Sequence, residues 1–191
     1  AITPTQVHTM ITRGGGILCT AITRETAARL SLPPMIPRGE NTESTGVAFT
    51  VSMNAKQGTT TGVSAHDRVK TIRLLAKPNA KADDFTRPGH VFGLIARDGG
   101  MLERRGHTEA AVDLARLAGR SPAGVLCEIV GKSGHMARGT EIHALAKELG
   151  MVVVSIRELL AYVKAHPLSP LAHSGVERVA EARLPTRHGT F

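Results

Sequence analysis

Apolar positions along the chain change period repeatedly, and each change marks an element. Residues 3–15 place Val7, Met10 and Ile11 on one helical face, with Thr3 as N-cap and Pro4 at the first helical position. Residues 16–22 are a short apolar run and predict a buried strand. Residues 23–32 predict a second helix, stopped by Pro33 and Pro34, and residues 36–46 a polar loop. Residues 47–54 alternate and carry β-branched side chains, the pattern of a strand. Ser64 then caps a helix that places Val69, Ile72 and Leu75 at helical spacing. Residues 79–90 predict a loop, 91–97 a strand and 99–106 a loop or short strand. A helix over 108–118 follows, closed by Gly119; its Ala111, Leu114, Ala115 and Ala118 predict the packed face, with Glu109, Asp113 and Arg116 outside. Residues 123–130 predict a strand, 131–139 a glycine-rich loop, 140–150 a helix, 151–156 a buried strand and 157–166 a last helix.

Strands alternate with helices over most of the length. That pattern predicts an α/β domain of three layers, a mixed twisted sheet covered by helices. The expected domain spans 1–166. From Pro167 the chain has prolines, few large apolar residues and no clear core face, so 167–191 reads as a linker or the start of another segment.

Composition narrows the class. A chain of 191 residues with 41% hydrophobic positions can bury a core without staples. Aromatics are only 3%, which argues against single-strand nucleic-acid binding by base stacking. The net charge of +8 suits an anionic partner, whether nucleic acid, an anionic surface or a phosphorylated small molecule, but the charge is scattered and gathers into no basic stripe. Cys19 and Cys127 lack metal-type spacing, which points to a reducing, cytoplasmic setting. No apolar run approaches the roughly 18–20 residues that span a membrane, and the first residues lack a signal-peptide pattern.

The candidate chemistry centres on residues 104–119. Arg104, Arg105, Gly106 and His107 run into the start of a helix, where backbone N–H groups favour negative charge. Cations in that place imply a bound anion: Gly106 lets the backbone approach, Thr108 offers a hydroxyl, and the arginines offer forked charge to a phosphate. The plainer alternative is a well-capped surface helix. His107 could ligate a metal, move protons or serve as a structural histidine. His90, after Pro88 and Gly89, sits at a predicted loop-to-strand junction, either a catalytic position or a turn histidine. Glu128 falls inside an apolar strand, where a carboxylate faces a site or is ion-paired. The cysteines read as small core residues, since no base adjoins them.

Taken in order, residues 16–19, 32–36, 41–51, 60–68, 87–92, 104–119, 122–129 and 136–138 resemble 3,4-dihydroxy-2-butanone 4-phosphate synthase of riboflavin biosynthesis. The motifs RPGHVF, GHTEA and AGVLCE carry the resemblance together, over roughly residues 1–165. It implies conversion of D-ribulose 5-phosphate to the four-carbon phosphate plus formate, with Mg²⁺ or Mn²⁺, in a homodimer with sites near the subunit interface. Residue by residue, it implies that Arg104, Arg105, Gly106, His107, Thr108 and Glu128 contact the sugar phosphate. It further implies that His107 ligates the metal and that His90 and Glu128 form the essential acid/base pair. The last residues resemble the opening of GTP cyclohydrolase II, which many bacteria fuse behind the synthase.

The sequence also departs from that pattern. The family's acidic segment Arg-Glu-Asn-Glu-Gly-Asp, which supplies a metal-binding Glu, is not found ahead of the first helix, so domain 1–166 is expected to lack it. Lys132 and Ser133 stand where the family has acids, Val47 where it has Thr, and Gly93 where it has Pro. These departures keep open an inactive domain serving dimerisation or scaffolding within a bifunctional riboflavin protein. RNA binding is a third, weaker alternative, resting on charge and fold analogy alone.

Overall fold

The fold is built outward from one short strand, β1 (Cys19–Ile22), all four of whose residues are buried. The structure, a computed structural model, describes residues 1–37, 39–167, 185–186 and 189–190. β1 pairs in parallel with β3 (Phe85–Ile95), with Cys19 opposite Phe92, and antiparallel with β4 (Ala123–Leu126), with Cys19 opposite Leu126. β2 (Met53–Ala55) adds to the far side of β3, giving a mixed sheet of order β2-β3-β1-β4.

Successive side chains of a strand point to opposite faces. Ile22 therefore enters a cluster with Val7, Val69, Ile72 and Leu75, while Ala21 faces Val112 and Ala96 on the other side. The first cluster is closed by α1 (Pro4–Thr9) and α3 (Ala65–Leu75), the second face by α5 (His107–Leu117). Helices on both faces of a mixed sheet make the three layers that the alternation of elements predicts. Beside α5, α4 (Gly100–Glu103) and α7 (Ile156–Ala165) form a satellite core around Met101, Leu159, Leu160 and Val163.

Local signals place the helix starts. Thr3 and Gln6 form a capping box ahead of α1, and Ser155 and Glu158 form another ahead of α7. Ser64 accepts the N–H of Asp67 and opens α3, and Thr23 does the same for Thr26 in α2 (Arg24–Arg29). Gly119, at φ 63°, closes α5 as expected. The first helix ends in a π-helical turn, Met10–Gly14, that the periodicity does not announce.

Five expectations are corrected. Residues 85–90 are not loop: Phe85 is buried and β3 runs through Pro88 and Gly89. Residues 99–106 contain a helical turn, α4, not a strand. Of 47–54, only Met53 and Asn54 lie in β2; Phe49 and Thr50 make isolated bridges. Residues 151–154 are neither strand nor buried; Val152 is 87% exposed, and no strand among the described residues pairs with them. A continuous apolar run signals burial only where a sheet edge receives it. The helix before it, α6 (Thr140–Leu149), buries none of its residues.

The fifth correction concerns α5. Its packed face takes in Glu109 and Asp113, 1% and 2% exposed beside buried Ala110 and Val112, whereas Leu114 is 48% exposed; Ala111 of the expected face does pack, partly buried, against the Ala21 cluster. Glu109 is ion-paired with Arg104 at 2.7 Å, and Asp113 has Arg116 Nη1 3.9 Å from its Oδ1, which makes their burial tolerable. Asp113 accepts the Met101 N–H at 2.8 Å and fills the space beside Gly100, whose φ is 58°. The reading of 167–191 falls almost wholly outside the described residues; Pro185–Thr186 and Gly189–Thr190 pair as two-residue strands, β5 and β6.

The exposure of Leu114 has a direct test in urea unfolding. Leu114→Ala is expected to cost less than about 0.5 kcal/mol, a surface value. Met101→Ala, with no exposed surface to start from, is expected to cost about 2–5 kcal/mol. Equal losses would put Leu114 back in the core. A second test uses acid. Buried Asp67 accepts from Thr60 Oγ1 at 2.7 Å and from the N–H groups of Thr60 and Gly62 at 3.1 Å. These bonds, the Thr60 hydroxyl first, hold its carboxyl below the usual range. The carboxylate therefore stabilises the fold above the ordinary Asp pKa of about 3.9, and that stability is lost as pH falls below it. The Tm gap between the unaltered chain and Asp67→Asn is expected to be widest near pH 6 and to close toward pH 3; a constant gap would contradict the assignment.

Candidate active site

At one end of the sheet a cleft of about 900 Å³ opens between the start of α5, the end of β4 and residues 43–49. Arg104, Arg105, Gly106, His107, Thr108 and Glu128 all line it. Of the site residues that the resemblance implies, His90 alone is not in its lining.

The start of α5 has the character of an anion site. Gly106 is its N-cap and no side chain caps the first turn. The leading N–H groups of a helix have no partner within it, and here no cap takes them. Arg105 and His107 are exposed beside them, and Arg105 makes no hydrogen bond or ion pair among the described residues. Arg104 is engaged differently. Its Nη1 lies 2.7 Å from Glu109 Oε2, and its Nε and Nη2 donate to the carbonyl of Thr45 at 3.2 and 3.0 Å. The second oxygen of Glu109 accepts the Arg97 N–H at 3.0 Å. Removing one partner of such a pair strands the other's charge, at a cost of about 3–5 kcal/mol. Gly106 is small for this reason: a Cβ there would lie 2.3 Å from Arg104 Nη1 and 2.6 Å from Glu109 Oε2. The close approach it allows is to the chain's own ion pair.

Glu128 is not inside the strand, as the sequence suggests, but two residues past its end, on the cleft wall. Its Oε2 accepts the Ile17 N–H at 2.8 Å. The glycine run 14–16 makes room for it, since a Cβ on Gly16 would lie 2.5 Å from the same oxygen. Behind it, burial above all pushes the Cys19 thiol up to about 12 and also raises Cys127, so neither presents a ready thiolate.

His90 lies inside β3, not ahead of it, and its ring Nδ1 is 3.2 Å from Asn54 Nδ2. The register sets it at the same end of the sheet as Glu128. Phe92, Cys19 and Leu126 are level, and His90, Ile17 and Glu128 each lie two residues further toward that end. Two strand spacings, about 10 Å of backbone, separate His90 from Glu128. His107 is exposed on the first turn of α5, and no group of three or more His, Cys, Asp or Glu converges among the described residues. One imidazole does not fit a hard divalent cation, which takes several oxygens.

The sequence reading missed three contributors. Glu109 was placed on the outer face, although its spacing from Arg104 was the available clue. Glu43 and Thr45 line the cleft from a loop that read as merely polar. The Glu43 carboxylate is held low by the Thr45 hydroxyl and then the Val47 N–H, so it folds its own loop.

The 3,4-dihydroxy-2-butanone 4-phosphate synthase family model matches residues 1–162. The riboflavin biosynthesis protein RibBA of Nocardia farcinica is 51% identical over 191 residues, covering 99% of this chain and 44% of the relative. The chain thus spans less than half the length of that curated relative. A crystal structure of 3,4-dihydroxy-2-butanone 4-phosphate synthase in complex with two magnesium ions is 41% identical with a TM-score of 0.81, covering 87% of this chain and 82% of that one. The Candida albicans synthase superposes with a TM-score of 0.77 at 41% identity, covering 85% and 79%. With the family model matching residues 1–162 and the fold superposing on these solved synthases at 41% identity, the chain belongs to the 3,4-dihydroxy-2-butanone 4-phosphate synthase family.

Proposed function

We propose that the chain converts D-ribulose 5-phosphate to 3,4-dihydroxy-2-butanone 4-phosphate and formate in riboflavin biosynthesis. One observation carries this beyond family membership. The uncapped start of α5, the unpartnered Arg105 and the Glu128 carboxylate meet in a single cleft. An anion-binding end and a proton-handling group are what a sugar phosphate undergoing enolisation requires.

In this reading Arg105 and the first N–H groups of α5 hold the phosphorylated sugar. Gly106 and Thr108 shape that turn, and Arg104 offers the two N–H groups left over from Glu109 and Thr45. Enolisation, loss of water, skeletal shift and formate release each move protons. Glu128 and His90 are the groups proposed to handle them. Mg²⁺ or Mn²⁺ belongs to the reading as cofactor, supported by the relative solved with two magnesium ions, and His107 is its proposed ligand on this chain. The described residues offer too few donors to close such a site, so the proton steps rest here on the chain's own groups.

A homodimer with its site near the interface is part of the same proposal. His90 is exposed and stands outside the cleft of its own chain, as such an arrangement would use it. The relatives named RibBA support a fused GTP cyclohydrolase II as partner within a longer polypeptide. No helix among the described residues is long and apolar enough to cross a membrane. Function in the cytoplasm is consistent with that and with the two free cysteines.

Formate release from ribulose 5-phosphate with Mg²⁺ tests the proposal, on this chain and on the chain extended by the family's acidic segment. Glu128→Gln is expected to lower kcat about 10²- to 10⁴-fold. Arg105→Ala is expected to raise KM about 10- to 100-fold, the worth of a charged hydrogen bond of about 1.5–3 kcal/mol. A folded protein that releases no formate in either form would favour the scaffold alternative.

A further inference from the structure

Between β2 and β3 the ladder breaks. Met53 faces Val91, yet the next residue, Asn54, faces Thr86, so residues 87–90 have no counterpart on β2. N–H groups in such a break lack a strand carbonyl, and two side chains take them instead. Ser52 Oγ accepts the Gly89 N–H at 3.1 Å, and Asn54 Oδ1 accepts the His90 N–H at 2.9 Å. Gly89 admits this approach, since a Cβ there would lie 2.1 Å from the Met53 carbonyl carbon.

The bond to the His90 N–H fixes the Asn54 amide. A backbone N–H can only donate, so the amide oxygen is the atom that faces it. Flipping the amide would set donor against donor. Gly62, at φ 86°, leaves its side-chain place to this amide, whose nearest atom would be 2.2 Å from a Cβ. The amide NH₂ is thereby the group 3.2 Å from His90 Nδ1. It can only donate, so Nδ1 accepts. In a neutral ring the proton then resides on Nε2, the one nitrogen left for any other group.

We propose that Asn54 is a positioning residue that holds His90 as a neutral ring presenting Nε2–H. Building on the activity proposed above, His90 then donates a hydrogen bond to the developing sugar oxyanion and Glu128 accepts the protons. The Nδ1 lone pair is spent on Asn54 and Nε2 carries a proton, so this ring has no lone pair to serve as base. Glu128 does: its Oε2 takes the Ile17 N–H and its Oε1 remains. A preorganised neutral donor aimed at developing charge is an effective stabiliser.

Long-range ¹H–¹⁵N spectra of the chain with ¹⁵N-histidine read the tautomer directly, with His90 assigned by its loss in His90→Gln. The expected result is protonation at Nε2 and a pyridine-type Nδ1. Asn54→Asp keeps an acceptor for the His90 N–H but removes the donor facing Nδ1, and is expected to move the proton to Nδ1. A protonated Nδ1 in the unaltered chain, or an unchanged tautomer in Asn54→Asp, overturns the proposal. In formate release, Asn54→Asp is expected to lower kcat about tenfold or more with KM within about twofold. His90→Gln, which keeps an N–H donor, is expected to retain about tenfold more kcat than His90→Ala; equal loss in both overturns the donor role. The tautomer is measured without turnover. Nε2–H in the chain together with no formate release, with or without the family's acidic segment, would therefore sink the synthase activity while leaving the Asn54 assignment standing.

Discussion

A buried carboxylate beneath a glycine organises the cleft. Glu109 is almost wholly removed from water and bonds both Arg104 and the Arg97 backbone. Through Arg104 the same carboxylate reaches Thr45, which lies 59 residues from that arginine in sequence. Three segments that share no secondary structure are thus fixed relative to the first turn of α5. A low-dielectric surround makes each of these bonds stronger than it would be in water, and makes leaving any one unmade more costly. Gly106 has no side chain because this pair fills the space where one would be. The helix start stays uncapped and open because the polar traffic around it passes underneath.

Glycine plays a comparable part at Glu128. The run 14–16 brings backbone against the end of β4, and the Ile17 N–H settles one carboxylate oxygen. Both ends of the cleft are therefore set by close backbone approach, and the shape of the site is carried by the sheet and α5 more than by flexible side chains.

What the sequence discloses divides along a physical line. Helix starts at Thr3 and Ser64 were legible because a cap is a matter of three or four consecutive residues. The cluster at 104–108 and the carboxylate at 128 were legible because cations at a helix start and an acid beside apolar residues are anomalies on a short scale. The run of β3 through 85–90 was hidden, since Pro88 and Gly89 are ordinarily turn residues and only the missing counterpart on β2 explains them. The burial of Glu109 and Asp113 on α5 was hidden too. Apolar periodicity presumes that carboxylates face water, and it has no access to an arginine five residues upstream or to backbone N–H groups waiting at Arg97 and Met101. Residues 151–154 carry the strand signal without the strand, because pairing belongs to two segments and the pattern reports on one.

Arg104 divides a single guanidinium between two masters. Its fork holds residues 41–47 through the Thr45 carbonyl and borders the helix start where an anion would rest. Any ligand that draws those N–H groups toward itself does so in competition with the loop. By reciprocity the loop's grip weakens the ligand by the same factor that the ligand loosens the loop. Loop order and anion affinity are consequently two readings of one equilibrium. Substitutions confined to residues 41–47 carry a thermodynamic lever on how tightly the cleft holds charge.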